Sequence, residues 1–191
     1  MKKTMQTEQT KQHLASALKE EMKRKDFDAI TITDILHRSD LARPTFYYHF
    51  QDIYDLMEWM FEREAIELLK KSEDCFTWDE GMLLVLRYVQ ENSTVCLCAL
   101  NSLRRDTLQR LFYQDVAAIM ERFVASLSDG LHPKEEDAIF IRDFYTRALV
   151  SALVQWLHGG MTLSPEQMID RIDVAMHGAV LAALQRSSER T

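Results

Sequence analysis

The sequence predicts an all-α protein, with a three-helix head at the N-terminus and a larger helical body behind it. Three observations predict this class. Only five glycines and three prolines occur in 191 residues, too few breakers for the frequent turns of an all-β fold. Apolar residues recur at three- and four-residue spacing through most of the chain. Hydrophobic residues make up 47%, enough for a proper core, and ten methionines suit adaptable packing or a greasy pocket.

The first helix is predicted from about Thr7 to Arg24, because Leu14, Leu18 and Met22 form one stripe. Lys19, Lys23, Arg24 and Lys25 crowd its end. Such a cluster either complements the helix dipole or faces phosphate. Thr31-Ile32-Thr33-Asp34 is a capping box with Asp34 in the usual Glu or Gln place, and Ile30 with Ile35 forms the hydrophobic staple. A short second helix follows over about 32–38, with Ile32, Ile35 and Leu36 inward. Ser39-Asp40-Leu41-Ala42 is the turn; Asp40 tolerates a left-handed conformation and Leu41 points in. The third helix starts at Pro44, where a missing N–H costs nothing, and ends near Phe50. Asp52 caps a fourth helix that runs to about Ser72 through Leu56, Met60 and the 66–69 region.

The body continues as helices over about 79–91, 93–101, 104–128 and 134–158, the last ending at Gly159-Gly160. Ser164-Pro165-Glu166-Gln167 then supplies an N-cap, a first-turn proline and a box partner. One helix is predicted from there to about Gln185.

Two short helices, a four-residue turn and a preceding helix make a helix-turn-helix unit around Ile35, Leu41, Phe46 and Phe50. Phe46 and Phe50 anchor the third helix. Thr45, Tyr47, Tyr48 and His49 remain for another surface, with donors suited to phosphate oxygens. Arg43 can reach a guanine edge or a phosphate, and the helix N-terminus itself attracts phosphate. Two local alternatives stay open: Tyr47 as a half-buried core ring, and His49 as a helix C-terminal cation.

The formal charge of −7 is unevenly spread. Residues 1–52 carry nine Lys/Arg against eight Asp/Glu, and the other 139 carry fourteen against twenty-two. An acidic body pointing away from DNA does little harm, since screening acts over roughly 8 Å. The boundaries expected are a head over 1–52 and a body over 53–191. No signal peptide or membrane span is expected, because the N-terminus is polar from Lys2 to Gln12 and the most apolar run, Ala148–Leu157, is short. Cys75, Cys96 and Cys98 are odd in number without framework spacing, which points to a reducing, cytoplasmic compartment.

Helices ending the body are the dimer candidates. Phe140, Phe144, Ala148, Ala152 and Trp156 recur every fourth residue, and Ala175, Gly178, Leu181 and Ala182 give a mostly small-residue face. Either two copies form a four-helix bundle there, or the faces are buried within one subunit. A ligand pocket lined by Trp59, Phe61, Tyr88, Cys96, Cys98, Phe112 and Tyr113 competes with plain core packing at those positions. No metal, cofactor or enzymatic activity is expected: Cys96 and Cys98 have no nearby third ligand, and no catalytic motif is present.

The stretch over about 10–60 resembles the TetR family of bacterial repressors. The likeness is carried by the first-helix stripe, Thr31 to Ile35, the turn, Thr45-Phe46-Tyr47-Tyr48-His49-Phe50 and the capped fourth helix. It implies an all-helical homodimer whose helix-turn-helix head binds a palindromic operator and whose body binds a ligand and dimerises. By resemblance, Thr33 contacts phosphate, Arg43, Pro44 and Thr45 face bases, and Tyr47, Tyr48 and His49 grip the backbone. The turn and aromatic block are similar to the branch containing activators of dihydroxyacetone-kinase operons. Three positions depart from the pattern: Asp40 replaces glycine, Ala42 replaces a capping serine, and Ile53 replaces lysine. The function expected is a transcriptional regulator, a repressor, tuned by a small ligand or partner. The alternative is a TetR-like coactivator that binds mainly protein, motivated by Ile53 and the acidic body.

Overall fold

The structure is a computed structural model that describes residues 2–72, 77–102, 105–176 and 178–190. Among them the regular elements are ten α-helices and one 3₁₀ turn. The helices are α1 (Lys2–Met22), α2 (Ile32–Ser39), α3 (Arg43–His49), α4 (Ile53–Ser72), α5 (Trp78–Glu91), α6 (Ser93–Leu100), α7 (Arg105–Leu127), α8 (Glu135–His158), α9 (Pro165–Met176) and α10 (Ala179–Ser188). The chain divides into two compact units, Met1–Ile66 with Asn92–Leu111, and Glu67–Glu91 with Phe112–Thr191.

In the first unit, α1 is the axle. Leu14, Ala15, Leu18 and Met22 are buried, as are Ile35, Phe46, Phe50, Leu56, Met57 and Met60. A 3₁₀ turn over Phe27–Ala29, too short to show a period in the sequence, buries Phe27 against the Tyr54 ring at 5.1 Å. From α6, Val95, Cys96, Ala99 and Leu100 are buried. Cys98 sits beside the Lys25 carbonyl, with Sγ 3.5 Å from it. Burial pushes the thiols up, Cys96 to about 12 and Cys98 to about 11, so both stay protonated. Cys75 lies outside the described residues.

Three of the four cations at the end of α1 pair with carboxylates, Lys19 and Lys25 half-buried and Lys23 at the surface. Lys19 meets Glu64 at 2.6 Å, Lys23 meets Glu20 at 2.6 Å, and Lys25 meets Asp34 at 2.8 Å. Arg38 pairs with the buried Glu21 at 2.7 Å. The half-buried pairs account for Lys19 and Lys25 within the fold, while Lys23 and Arg24 stay at the surface.

In the second unit, α5 packs on α8 and α9, and α10 packs on α8 and α9. Gly81 lets α5 approach α7 closely: a Cβ there would lie 3.2 Å from Ile119. The predicted box at α9 is present, with the Ser164 N–H on Gln167 Oε1 at 2.9 Å and the Gln167 N–H on Ser164 Oγ at 3.2 Å. The single helix predicted to Gln185 is corrected to two. Gly178 is left-handed at φ 70°, a conformation glycine adopts without steric cost, and the chain turns there before α10. The start of α8 is held from afar: the Lys134 N–H donates to Ser187 Oγ at 3.1 Å, and the Ser187 hydroxyl donates to Asp137 Oδ2 at 2.6 Å.

Candidate nucleic-acid interface

The site is built on the turn between α2 and α3. Thr31 and Asp34 set the start of α2: the Thr31 N–H donates to Asp34 Oδ2 at 2.8 Å, and the Asp34 N–H donates to Thr31 Oγ1 at 3.2 Å. Lys25 foremost, then the Thr31 hydroxyl and N–H, hold the Asp34 carboxyl well below its ordinary range. This anchors the turn of α2 that carries the exposed Thr33. Ile30 and Ile35 are both buried, as the staple requires.

Asp40 ends α2 in the left-handed conformation, φ 52° and ψ 37°, filling the backbone role expected of it. Leu41 is half-buried. Ala42 makes no side-chain cap, so α3 opens with Pro44 in its first turn and only a backbone bond, Thr45 N–H to the Ala42 carbonyl at 2.9 Å. Phe46 and Phe50 drive α3 onto the core, their rings 6.1 Å apart and both buried. The Phe50 N–H closes α3 on the Phe46 carbonyl at 2.9 Å. Asp52 caps α4 through the Asp55 N–H at 2.8 Å.

With those anchors fixed, the opposite side of α3 faces outward. Arg43 and Pro44 are exposed, and Thr45 is half-buried. Tyr47 is 52% exposed and Tyr48 74% exposed, large values for aromatic rings with so much apolar area. Tyr47 leans edge-on against Phe46 at 5.6 Å, and the Arg43 guanidinium lies 6.0 Å from its ring centroid. Its ring is thus a flank of the core with a free hydroxyl end. His49 is half-buried beside Tyr48, rings 4.9 Å apart, and burial first, then Lys11, lowers its pKa. Lowering favours the neutral ring near pH 7, which weakens the reading of His49 as a C-terminal cation.

Nothing in the sequence pattern singles out Lys11, yet its ammonium sits 5.7 Å from the Phe50 ring centroid and 5.5 Å from that of Trp59. Trp59 in turn meets Phe50 at 5.9 Å, edge to face. Of the predicted ligand residues, Trp59 and Cys96 belong to the first unit, and Tyr88, Phe112 and Tyr113 to the second. Phe112 is buried, and Tyr113 carries Arg147 over its ring at 5.5 Å.

On α8, Phe140 and Phe144 are exposed and stacked at 6.3 Å, and Ala148 is exposed. Trp156 is buried, its indole N–H on the Leu163 carbonyl at 3.0 Å. Each four-residue step overshoots a turn by roughly 40°, so the stripe winds from outward at Phe140 to inward at Trp156. Ala152, Trp156 and Ala175 line an apolar groove of about 500 Å³ between α8 and α9. Beyond it, Gly178 is exposed at the break, and Leu181 and Ala182 are half-buried on α10.

Comparison with known proteins agrees with this architecture. The family profile described as "Bacterial regulatory proteins, tetR family" matches residues 14–60, the helices built above. A second, "Transcriptional regulator C-terminal region", matches residues 77–178. The "HTH-type dhaKLM operon transcriptional activator DhaS" of Lactococcus lactis is 30% identical over 123 residues, which are 64% of this chain and 55% of that protein. The chain thus spans about half the length of that curated relative. Among solved structures, "Dihydroxyacetone kinase operon activator DhaS" superposes with a TM-score of 0.73 at 22% identity, covering 94% of this chain and 98% of that one. A TetR transcriptional regulator from Streptococcus agalactiae gives 0.63 at 19% identity, covering 96% and 98%. These two share the fold. With both profiles matched in order along the helix-turn-helix head and the helical body, the chain belongs to the TetR family of bacterial transcriptional regulators.

Proposed function

We propose that this regulator binds a palindromic operator in double-stranded DNA as a homodimer, and that a small ligand or partner protein tunes its affinity. The observation that carries the reading is the outward row on α3: Arg43, Pro44, Tyr47 and Tyr48 exposed over a buried Phe46 and Phe50. A short helix with donors on one face and anchors on the other is suited to a major groove. Arg43, Pro44 and Thr45 face base edges in this reading. Thr33, Tyr47, Tyr48 and His49 hold phosphates and fix the register. Residues 1–52 act as the head and 53–191 as the body, in a protein that works on DNA in the cytoplasm.

One short helix covers only a few bases, so a dyad that doubles it makes physical sense, with half-sites roughly 34–36 Å apart or a multiple. Phe140, Phe144 and Ala148 on α8, with the α8–α9 groove and the α10 residues Leu181 and Ala182, are the surface proposed for the second copy. An exposed, stacked phenylalanine pair is costly to leave in water. Tyr88, Phe112 and Tyr113 are the proposed ligand contacts in the second unit. The body then shifts between two arrangements that the ligand biases, and operator affinity follows.

Repression is the sense the family resemblance implies. The 30%-identical relative is named an operon activator, and this favours activation as the second reading. A coactivator that binds protein instead of DNA is the reading to be excluded. Selection from random duplexes, followed by mobility shifts across a salt series, tests all three. A palindrome and a salt slope diminished by Arg43→Ala are expected; no sequence-selective binding by the wild-type chain would sink the regulator-on-DNA reading. Reporter output from the selected palindrome, with and without the protein, then separates activation from repression.

A further inference from the structure

We infer that Lys11 supplies the DNA-backbone contact that Ile53 cannot make; this rests on the duplex-DNA reading above. The lysine that the family resemblance leads one to expect at the start of α4 is Ile53 here, an apolar side chain with no donor. A cation from another helix reaches Phe50 and Trp59, rings on either side of Ile53 in sequence. Lys11, on α1, places Nζ 5.7 Å from the centroid of Phe50, the residue that closes α3, and 5.5 Å from that of Trp59 on α4.

The contact type matters. Lys19, Lys25 and Arg38 of the head each meet a carboxylate within 2.6–2.8 Å at half-buried positions, so their charges are largely offset within the fold, and Lys23 pairs with Glu20 at the surface. The contacts recorded for Lys11 among the described residues are ring faces. A ring face attracts the ammonium through its quadrupole but does not cancel its charge. The rings also hold the stem, so less freedom is lost when the tip meets a phosphate oxygen.

The place is right as well. Tyr48, His49, Phe50 and Trp59 form a continuous row of rings, with successive centroids 4.9, 6.4 and 5.9 Å apart. Tyr48 and His49 are the proposed backbone grips, and Lys11 stands over the other end of their row. Its charge reaches His49, whose protonation it disfavours after burial, against the smaller opposite pull of the Glu8 carboxylate. Lys11, His49 and Tyr48 thus make one phosphate-facing strip drawn from two helices.

The test is the salt dependence of binding to a mixed-sequence duplex, which reads phosphate contacts without needing the operator. Each neutralised phosphate contributes about 0.9 to the slope of log K against log salt. Lys11→Gln is expected to diminish the slope by about 0.9 per subunit, with helix content kept and only a small loss of melting temperature from the lost ring contacts, and Lys11→Arg to keep the slope. Adding Ile53→Lys to Lys11→Gln is expected to restore the slope. If the wild-type chain binds with a salt slope that Lys11→Gln leaves intact, the assignment to Lys11 is overturned and the duplex-DNA reading stands. Failure of the double variant to regain slope also overturns it. If the wild-type chain shows no salt-dependent binding, both readings fall together.

Discussion

Thr31 and Asp34 satisfy each other across the first turn of α2, each backbone N–H donating to the other's side chain, at 2.8 and 3.2 Å. The pair fixes where α2 begins and therefore where Thr33 and the turn lie. Thr31→Ala removes one half of the box and should cost about 1 kcal/mol, as cap losses do. Asp34 is held below its ordinary range, so its contribution is present above about pH 4 and fades as pH falls through the lower folded value. Asp34→Asn should therefore flatten the acid side of the head's stability. Urea unfolding of both variants between pH 3 and 7 checks this; an unchanged acid limb in Asp34→Asn would refute it.

Asp115 presents the opposite case. It is 5% exposed on α7, its Oδ1 has no hydrogen-bond partner among the described residues, and burial pushes its carboxyl up to about 7. Between about pH 4 and 7 the folded state holds a proton that the unfolded state releases. Stability should therefore fall as pH rises through that window. Asp115→Asn cannot ionise, so relative to wild type it should gain up to roughly 4 kcal/mol at pH 8 and little at pH 4. Denaturant midpoints at the two values decide; a difference between the proteins that does not change with pH would contradict the argument.

Gly178 separates α9 from α10 at φ 70°. A Cβ there meets nothing within 4 Å, so the strain of Gly178→Ala is purely conformational. About 1 kcal/mol of destabilisation is expected, and less for Gly178→Asn, which tolerates the left-handed region. Equal melting temperatures for the two substitutions would argue against a left-handed Gly178.

Phe144 is 57% exposed and stacked on Phe140. If this face meets a second copy, Phe144→Glu buries a charge at the dyad and should convert dimer to monomer without loss of helix content. Light scattering after size exclusion, with far-ultraviolet circular dichroism alongside, reads both. A dimer that survives the substitution would move the interface elsewhere.

The local signals were the legible ones. Thr31, Asp52 and Ser164 each cap through side chains within a few residues, so the starts of α2, α4 and α9 could be written from the sequence. Phe46 and Phe50, four apart on a short helix, likewise announced which side of α3 is inward. What stayed hidden depends on angle or on partners far along the chain. Gly178 looked like a small residue for close approach, because φ is not written in composition. Fourfold spacing on α8 looked like one face, although it winds until Trp156 is buried. Lys11 looked like any polar residue of a first helix, because the rings beneath it come from residues 50 and 59.

The bond from the Lys134 N–H to Ser187 Oγ spans 53 positions of sequence. During synthesis, the opening turn of α8 leaves the ribosome well before the hydroxyl that completes it. Until then an N–H and the Asp137 carboxylate must be satisfied by water. α10 therefore acts as a latch, and the opening turn of α8 closes only once Ser187 has followed it out. A shortened product lacking Ser187 would carry an intact head on a body whose eighth helix begins unclosed.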